Sequence, residues 1–218
     1  MKKVIAINGS PRKNGNTATL LNHALEGAKS AGAETEIIHL YDLNYKGCIS
    51  CFACKLKNKK LINQCSMQDE LTPILEKVMK CDVLIMGSPI YVYNISGALQ
   101  AFKERLEYMN LSYDLNDRNQ FKGQINVGMI YTMGISIDSM IQKNMDSMFK
   151  LHAALGSSVF NGKWEYMTAN QTTIFKNPSR YVISDEIEKK QNVAREIQFP
   201  IDCKNAFEMG KNLVELYK

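Results

Sequence analysis

Val4-Ile5-Ala6-Ile7-Asn8-Gly9-Ser10-Pro11-Arg12-Lys13-Asn14-Gly15-Asn16-Thr17, near the start of a 218-residue chain, decides the fold class. Residues 4–7 are a short, continuous apolar run rich in β-branched side chains, the pattern of a strand covered on both faces in a parallel sheet. A polar loop with two glycines follows. From Thr17 onward, Leu20, Leu21, Ala24, Leu25 and Ala28 recur at helical spacing, with Asn16 or Thr17 available as N-cap and Gly32 near the stop. Strand, loop and helix make one βα unit.

The same grammar repeats along the chain. Strands are expected at 36–40, 83–86 and 125–131, with a fifth around 157–160. Helices are expected at 71–79, 99–106 and 137–155, before a closing helix that carries Ala206, Phe207, Leu213, Val214 and Leu216. Such alternation predicts an α/β doubly wound three-layer sandwich: a mostly parallel sheet, right-handed crossovers, and helices on both faces. Five units of about 30 residues use roughly 150. The surplus falls at 41–68, read as a cysteine-containing insertion, and at 162–200, read as a C-terminal arm. No linker and no repeat divides the chain, so residues 1–218 are expected to form a single domain.

Composition narrows the function classes. With 45% hydrophobic and 22% charged residues and only five prolines, the chain can bury a core, which excludes disordered and fibrous structure. The net charge of +5 comes from 27 basic residues interleaved with 22 acidic ones, so no stripe exists to read nucleic-acid phosphates. A small anionic ligand suits the surplus better. The N-terminal apolar run stops at Asn8, too short for a secretory segment, and no run approaches the about 18 residues that cross a membrane. A cytoplasmic protein is expected, with neither nucleic acid nor membrane as partner.

In open α/β sheets, ligands sit at the carboxyl ends of strands, so the loops after the strands come first. The first lacks the glycine spacing of ATP-binding and dinucleotide-binding loops. It offers two sharp turns, short side-chain donors in Ser10, Asn16 and Thr17, the guanidinium fork of Arg12 and a helix N-terminus, which together cradle a terminal phosphate. A plain polar loop with a capping threonine is the alternative. The loop Gly87-Ser88-Pro89-Ile90-Tyr91-Val92-Tyr93-Asn94-Ile95-Ser96-Gly97 is unusually apolar for a connection, which suggests a flat apolar ligand or a cover for the sheet end. The loop Tyr131-Thr132-Met133-Gly134-Ile135-Ser136 adds a polarizable sulfur and an accessible glycine amide. Three such loops fit a molecule with one phosphate and one large planar ring, and flavin mononucleotide (FMN) has that shape.

GSPRKNGNT, a GC-x-x-CFAC segment and GSPIYVYNISGALQAFKERLE together resemble the flavodoxin-like NAD(P)H-dependent FMN reductase family, in particular the branch that includes the iron–sulfur flavoproteins. The resemblance covers about residues 1–155 and weakens afterwards. It implies a five-stranded parallel sheet of order 2-1-3-4-5, bound FMN, and reduction by NADH or NADPH. By position, it implies that Ser10, Arg12, Asn16 and Thr17 hold the phosphate, that Pro89, Ile90, Tyr91 and Asn94 line the isoalloxazine, and that Thr132 and Gly134 approach its other edge. It also implies a homodimer or higher homo-oligomer with the flavin near the interface.

Hydride transfer between two cofactors needs no protein acid or base. None is evident: His23, His39 and His152 follow no catalytic pattern, and no acid pair after the first strand suggests a phospho-receiver. Of six cysteines, Cys48, Cys51, Cys54 and Cys65 fall within eighteen positions. The tight triplet resembles the ligand motif of iron–sulfur flavoproteins, although the fourth cysteine lies farther off than is usual there. A [4Fe–4S] cluster, zinc, and free or redox-active thiols all remain open. Cys81 and Cys203 read as small buried hydrophobes, Asp69 and Glu70 as first-turn helix charges, and the run 55–60 as a solvated insertion. The aromatic residues of the arm, Trp164, Tyr166, Phe175, Tyr181 and Phe199, are expected to pack on a second subunit. The leading reading is an FMN-dependent NAD(P)H oxidoreductase that reduces flavin, quinone or a similar small acceptor. A non-enzymatic electron carrier serving a protein partner comes next, and a zinc-stabilised binding module last.

Overall fold

A computed structural model describes residues 1–57 and 62–216. Its elements are β1 (Lys3–Asn8), α1 (Asn16–Ser30), β2 (Glu34–His39), α2 (Thr72–Val78), β3 (Val83–Tyr91), β4 (Asn94–Ile95), α3 (Gly97–Tyr108), β5 (Leu111–Asp114) and β6 (Asp117–Asn119). The second half adds β7 (Ile125–Thr132), α4 (Ile137–Gln142), α5 (Met145–Phe160), β8 (Asn161–Ala169), α6 (Asp185–Val193) and α7 (Phe199–Glu215). Five strands pair in parallel in the order β2-β1-β3-β7-β8. Counting only those strands, this is the 2-1-3-4-5 order. The two-residue β4 turns back antiparallel on the end of β3, and β5 with β6 forms a separate hairpin.

Residues of β1, β3 and β7 are almost entirely buried because each strand has neighbours on both edges and helices on both faces. Two cores result. On one face Ile7, Leu84, Met86 and Met129 pack with Leu75 of α2, Phe102 of α3 and Phe149 of α5. On the other, Ala6, Ile85 and Ile130 pack with Leu21 of α1 and Leu213 of α7. There α1 and α7 touch backbone to backbone: a Cβ on Gly27 would stand 1.9 Å from the Phe207 oxygen, and one on Gly210 would stand 1.9 Å from the Ala24 oxygen. Among the described residues no helix is long and apolar enough to cross a membrane.

Four expectations need correction. Residues 157–160 are the last turn of α5, not a strand; Val159 and Phe160 continue its buried face until Asn161 enters the left-handed region at φ 56°. The fifth strand is the next segment, Asn161–Ala169, so the arm expected from residue 162 begins inside the sheet. Trp164 packs across Gly156 of α5, and the Tyr166 hydroxyl donates to Asp146 at 2.8 Å, so neither ring is held in reserve for a partner. Third, the helix expected at 137–155 is two helices, α4 and α5, broken where Asn144 sits at φ 53°. Finally, the N-cap of α1 is Gly15, which provides no side-chain cap; Asn16 and Thr17 are helical and send their side chains elsewhere.

Candidate functional site

The loops after β1, β3 and β7 meet at one end of the sheet, and side-chain ties fix them there. The buried Asn8 carboxamide accepts from the Ser10 amide at 3.0 Å and shares a 2.9 Å hydrogen bond with His39 Nδ1, so the first loop starts from a rigid corner. Gly9 donates to the Gly87 carbonyl at 2.8 Å, and its own carbonyl accepts from the buried Ser96 hydroxyl at 2.6 Å. A Cβ at Gly9 would meet Leu99 at 2.8 Å, so only glycine lets the first and second loops approach this closely. Thr17 and Thr132 join the first loop to the third through hydroxyls 2.8 Å apart.

These ties enclose a cavity of about 200 Å³. Ser10, Arg12, Asn16, Thr17, Pro89, Ile90, Tyr91, Thr132 and Gly134 all line it, as the sequence led us to expect. Asn94 does not: it sits in the β3–β4 turn, where its side chain accepts from the Ile95 amide at 2.8 Å. At the tip of that turn Val92 and Tyr93 hold φ values of 48° and 63°. A β-branched residue in the left-handed region is strained, and such strain concentrates at ligand-gripping sites. Val92 is 95% exposed and Tyr93 56%, so the turn presents an apolar rim beside the cavity.

Sequence reasoning missed the fourth wall, Thr172, Thr173 and Ile174. Arg12 Nη1 donates to the Ile174 carbonyl at 2.5 Å and Asn16 Nδ2 to the Thr173 carbonyl at 3.0 Å, so this segment closes over the first loop. The signal lay in Asn170-Gln171-Thr172-Thr173, a run of short hydrogen-bonding side chains at the carboxyl end of a strand. Placing the fifth strand too early hid it.

Two features leave hydrogen-bonding capacity for an anion. No side chain caps the first turn of the 15-residue α1. The Thr173 hydroxyl, in the cavity wall, is buried without a partner. Among the described residues no carboxylate lines the cavity, and burial holds the Tyr91 phenol above its ordinary range, so it remains a neutral donor. The phosphate of FMN fits these donors. Pro89, Ile90 and Tyr91 form the apolar side of the same cavity.

The four clustered cysteines gather around a second, smaller cavity of about 20 Å³, together with Arg105, Tyr108 and Met109. All four are free thiols. The Ser66 hydroxyl, 3.2 Å from Cys51 Sγ, and then the Ala53 amide hold the exposed Cys51 thiol below its usual range, whereas burial raises Cys54. Arg105 is fully buried, and only Nη1 is used, by Asp69 at 2.5 Å and the Lys46 carbonyl at 3.3 Å. Its Nε and Nη2 are buried without a hydrogen-bond partner. Asp69 is therefore more than a first-turn charge, although it also accepts from the Leu71 amide at 3.1 Å. Lys55, expected to be solvated, donates to the carbonyls of Tyr108 and Leu111; residues 58–60 of that basic run lie outside the described residues. Among the described residues no three of His, Cys, Asp and Glu stand close enough to share one metal ion. Four thiols and the buried Arg105, which is paired with Asp69, are the ligand and countercharge types that an anionic iron–sulfur core would use. The present space holds about one water, so such a core requires the loop around Cys51 to move outward.

Comparison with known proteins gives a consistent picture. An iron-sulfur flavoprotein of Methanocaldococcus jannaschii is 37% identical over 126 residues, 58% of this chain and 62% of that protein. One from Archaeoglobus fulgidus is 38% identical over 117 residues, 53% of this chain and 55% of its own length. The chain thus matches less than two thirds of the length of either relative. The fold is shared with NAD(P)H:quinone oxidoreductase from Methanothermobacter marburgensis at a TM-score of 0.68 and 13% identity, over 97% of this chain and 96% of that one. It is also shared with an FMN-dependent NADH-azoreductase from Bacillus anthracis, solved in complex with FMN, at a TM-score of 0.63 and 13% identity, over 98% of this chain and 100% of that one. The profile of the NADPH-dependent FMN reductase family matches residues 2–164, three quarters of the chain, and with the three-loop site at the end of the β2-β1-β3-β7-β8 sheet it places this chain in that family.

Proposed function

We propose that the chain is an FMN-binding oxidoreductase that takes electrons from NADH or NADPH and passes them to flavin, quinone or a similar small acceptor. The observation that carries this is the first-loop cradle, where an uncapped helix N-terminus adjoins a cavity lined by Ser10, Arg12, Asn16, Thr17 and Thr173. Arg12 supplies charge and Thr17 a hydroxyl proton, since Thr132 can serve as donor in the bond between them. Pro89, Ile90 and Tyr91 keep water from one side of a ring, and Thr132 and Gly134 line the other side. Bound there, FMN supplies the hydride-accepting chemistry, which needs position rather than an acid or base from the protein. The exposed rim of Tyr91, Val92 and Tyr93, with Ile137 and Ile141 nearby in sequence to the third loop, supports a homodimer or higher oligomer in which a second copy covers the flavin mouth.

A second reading, a one-electron carrier with FMN and a [4Fe–4S] cluster serving a protein partner, is favoured by Arg105. Its buried guanidinium lines the pocket of Cys48, Cys51, Cys54 and Cys65 and interacts with Cys65. One experiment separates the readings: purify the protein without oxygen, record the visible spectrum, then add NADPH or NADH. Flavin bands that bleach rapidly support the reductase. Flavin with broad brown absorption and no bleaching by either nicotinamide supports the carrier, and the absence of saturable FMN binding removes both.

A further inference from the structure

Helix α6 is inverted for a helix that only packs. Ile187 and Val193 are 47% and 57% exposed, while Gln191, at 3%, is the residue it buries. Gln191 Oε1 accepts from the Ile174 amide at 3.3 Å. That bond fixes which way the carboxamide points, because a backbone N–H can be met only by its oxygen. Among the described residues Nε2 is then buried with no hydrogen-bond partner, beside Gly134, where a Cβ would stand 3.4 Å from it. A donor left in this state costs stability that an apolar side chain of similar volume would not, so packing alone does not account for a glutamine here.

Ile174 passes the contact on. Its amide is taken by Gln191 and its carbonyl accepts from Arg12 Nη1 at 2.5 Å, so one residue of backbone stands between the arm and the first loop. Its side chain rests on Gly134, where a Cβ would stand 2.8 Å from Ile174 Cδ1. Arg12 is itself exposed, so this carbonyl rather than packing keeps its guanidinium at the cavity wall.

We propose that Gln191 is a positioning residue for the flavin phosphate: by holding the Ile174 backbone it sets where the Arg12 guanidinium waits, and so raises the preference for a phosphorylated flavin without touching the ligand. The inference rests on the FMN reading and adds to it a residue from beyond position 164, where the family profile ends. A loose arginine must be ordered when the phosphate arrives, and the lost rotamer freedom is subtracted from affinity. An arginine already held at the wall exchanges one acceptor for another. The acceptor given up is a neutral carbonyl and the one gained is charged, so the exchange favours the ligand.

The test compares FMN with riboflavin, which carries the ring and ribityl chain but no phosphate, by quenching of flavin fluorescence on titration with flavin-free protein. Wild type is expected to bind FMN the more tightly. In Gln191→Met, FMN binding should weaken about 3- to 10-fold, the worth of one hydrogen bond, while riboflavin binding stays within about twofold. A merely structural role would move both flavins alike. Gln191→Asn, whose carboxamide is too short to reach Ile174, should act in the same way. In an Arg12→Ala background Gln191→Met should change FMN binding no further, because the side chain it positions is gone. Parallel loss of both flavins in the Met and Asn variants, an undiminished preference for FMN, or additive losses in the double variant overturns the proposal. A wild type that binds neither flavin, or both equally, removes the phosphate cradle itself. A wild type that prefers FMN beside a Gln191→Met that prefers it as strongly removes only the role given to Gln191.

Discussion

Thr17→Val separates the two tasks assigned to one hydroxyl. Thr17 and Thr132 are 2% and 4% exposed, and their hydroxyls lie 2.8 Å apart. Valine keeps the shape, so no cavity term enters; the cost is the lost hydrogen bond plus a buried Thr132 hydroxyl left without its partner, about 1–3 kcal/mol. In a chain of this length that lowers the melting temperature by roughly 2–12 °C. FMN affinity should fall through a different loss, that of a hydrogen bond to a charged phosphate, about 1.5–3 kcal/mol or 10- to 150-fold in Kd. The double variant Thr17→Val/Thr132→Val distinguishes them. Replacing both partners removes the unsatisfied group, so stability should return toward wild type while FMN affinity stays low. Thermal melts of apoprotein and quenching of FMN fluorescence measure the two quantities. Should the double variant regain FMN affinity together with stability, Thr17 is only a tie between loops and the phosphate cradle lacks one of its proposed members.

Other consequences follow from groups away from the cradle. Gly210→Ala forces a Cβ into the Ala24 carbonyl across the α1–α7 contact, so it should cost about 1–3 kcal/mol or more, read as a lower urea midpoint, with FMN binding retained at low denaturant. Burial, and then the charge of Lys103, push His152 down to about 4, and its ring bonds the Tyr131 hydroxyl at 3.0 Å. Because the folded value lies below the unfolded one of about 6.5, its contribution is complete above pH 6.5 and drains away as pH falls toward 4. His152→Phe should flatten the stability profile across that window, measured by urea unfolding at several pH values; an unchanged slope would show that other groups set it. Alkylation of cluster-free protein, followed by mass spectrometry, should modify the exposed, acidified Cys51 first and Cys81, whose thiol burial pushes up to about 12, last.

What the sequence disclosed depended on how deeply each segment is buried. The strands β1, β3 and β7 are continuous apolar runs because both of their faces are covered, and their positions and following loops were legible from that, whereas the strand order came from the family resemblance. β8 lies at the sheet edge with most of its residues half-exposed, and its sequence, Asn-Gly-Lys-Trp-Glu-Tyr-Met-Thr-Ala, alternates too weakly to stand out against the apolar Val159-Phe160 that closes α5. An edge strand pays for its burial through one neighbour, here β7, which sequence inspection does not see. The nine expected residues that line the cavity lie on or beside loops after well-covered strands, while Thr172 to Ile174 followed the misplaced one.

The misplaced strand also bears on how the site works. The segment that sequence reading assigned to a peripheral arm holds both Arg12 and Asn16 through its carbonyls, at 2.5 and 3.0 Å. Those two side chains are the ones asked to grip a phosphate, and a donor already paired to a carbonyl gains less from a second acceptor than a free one. In the proposed phosphate site, ligand entry would therefore exchange two neutral acceptors for a charged one. The 172–174 segment is held to the body by the Gln191 side chain, whose Oε1 accepts from the Ile174 amide at 3.3 Å, and by Thr172, which donates to the Met133 carbonyl. It thereby ties the first loop to the third through its hydrogen bonds. The family profile ends at residue 164, whereas Thr172, Thr173 and Ile174 of the same cavity wall lie beyond it.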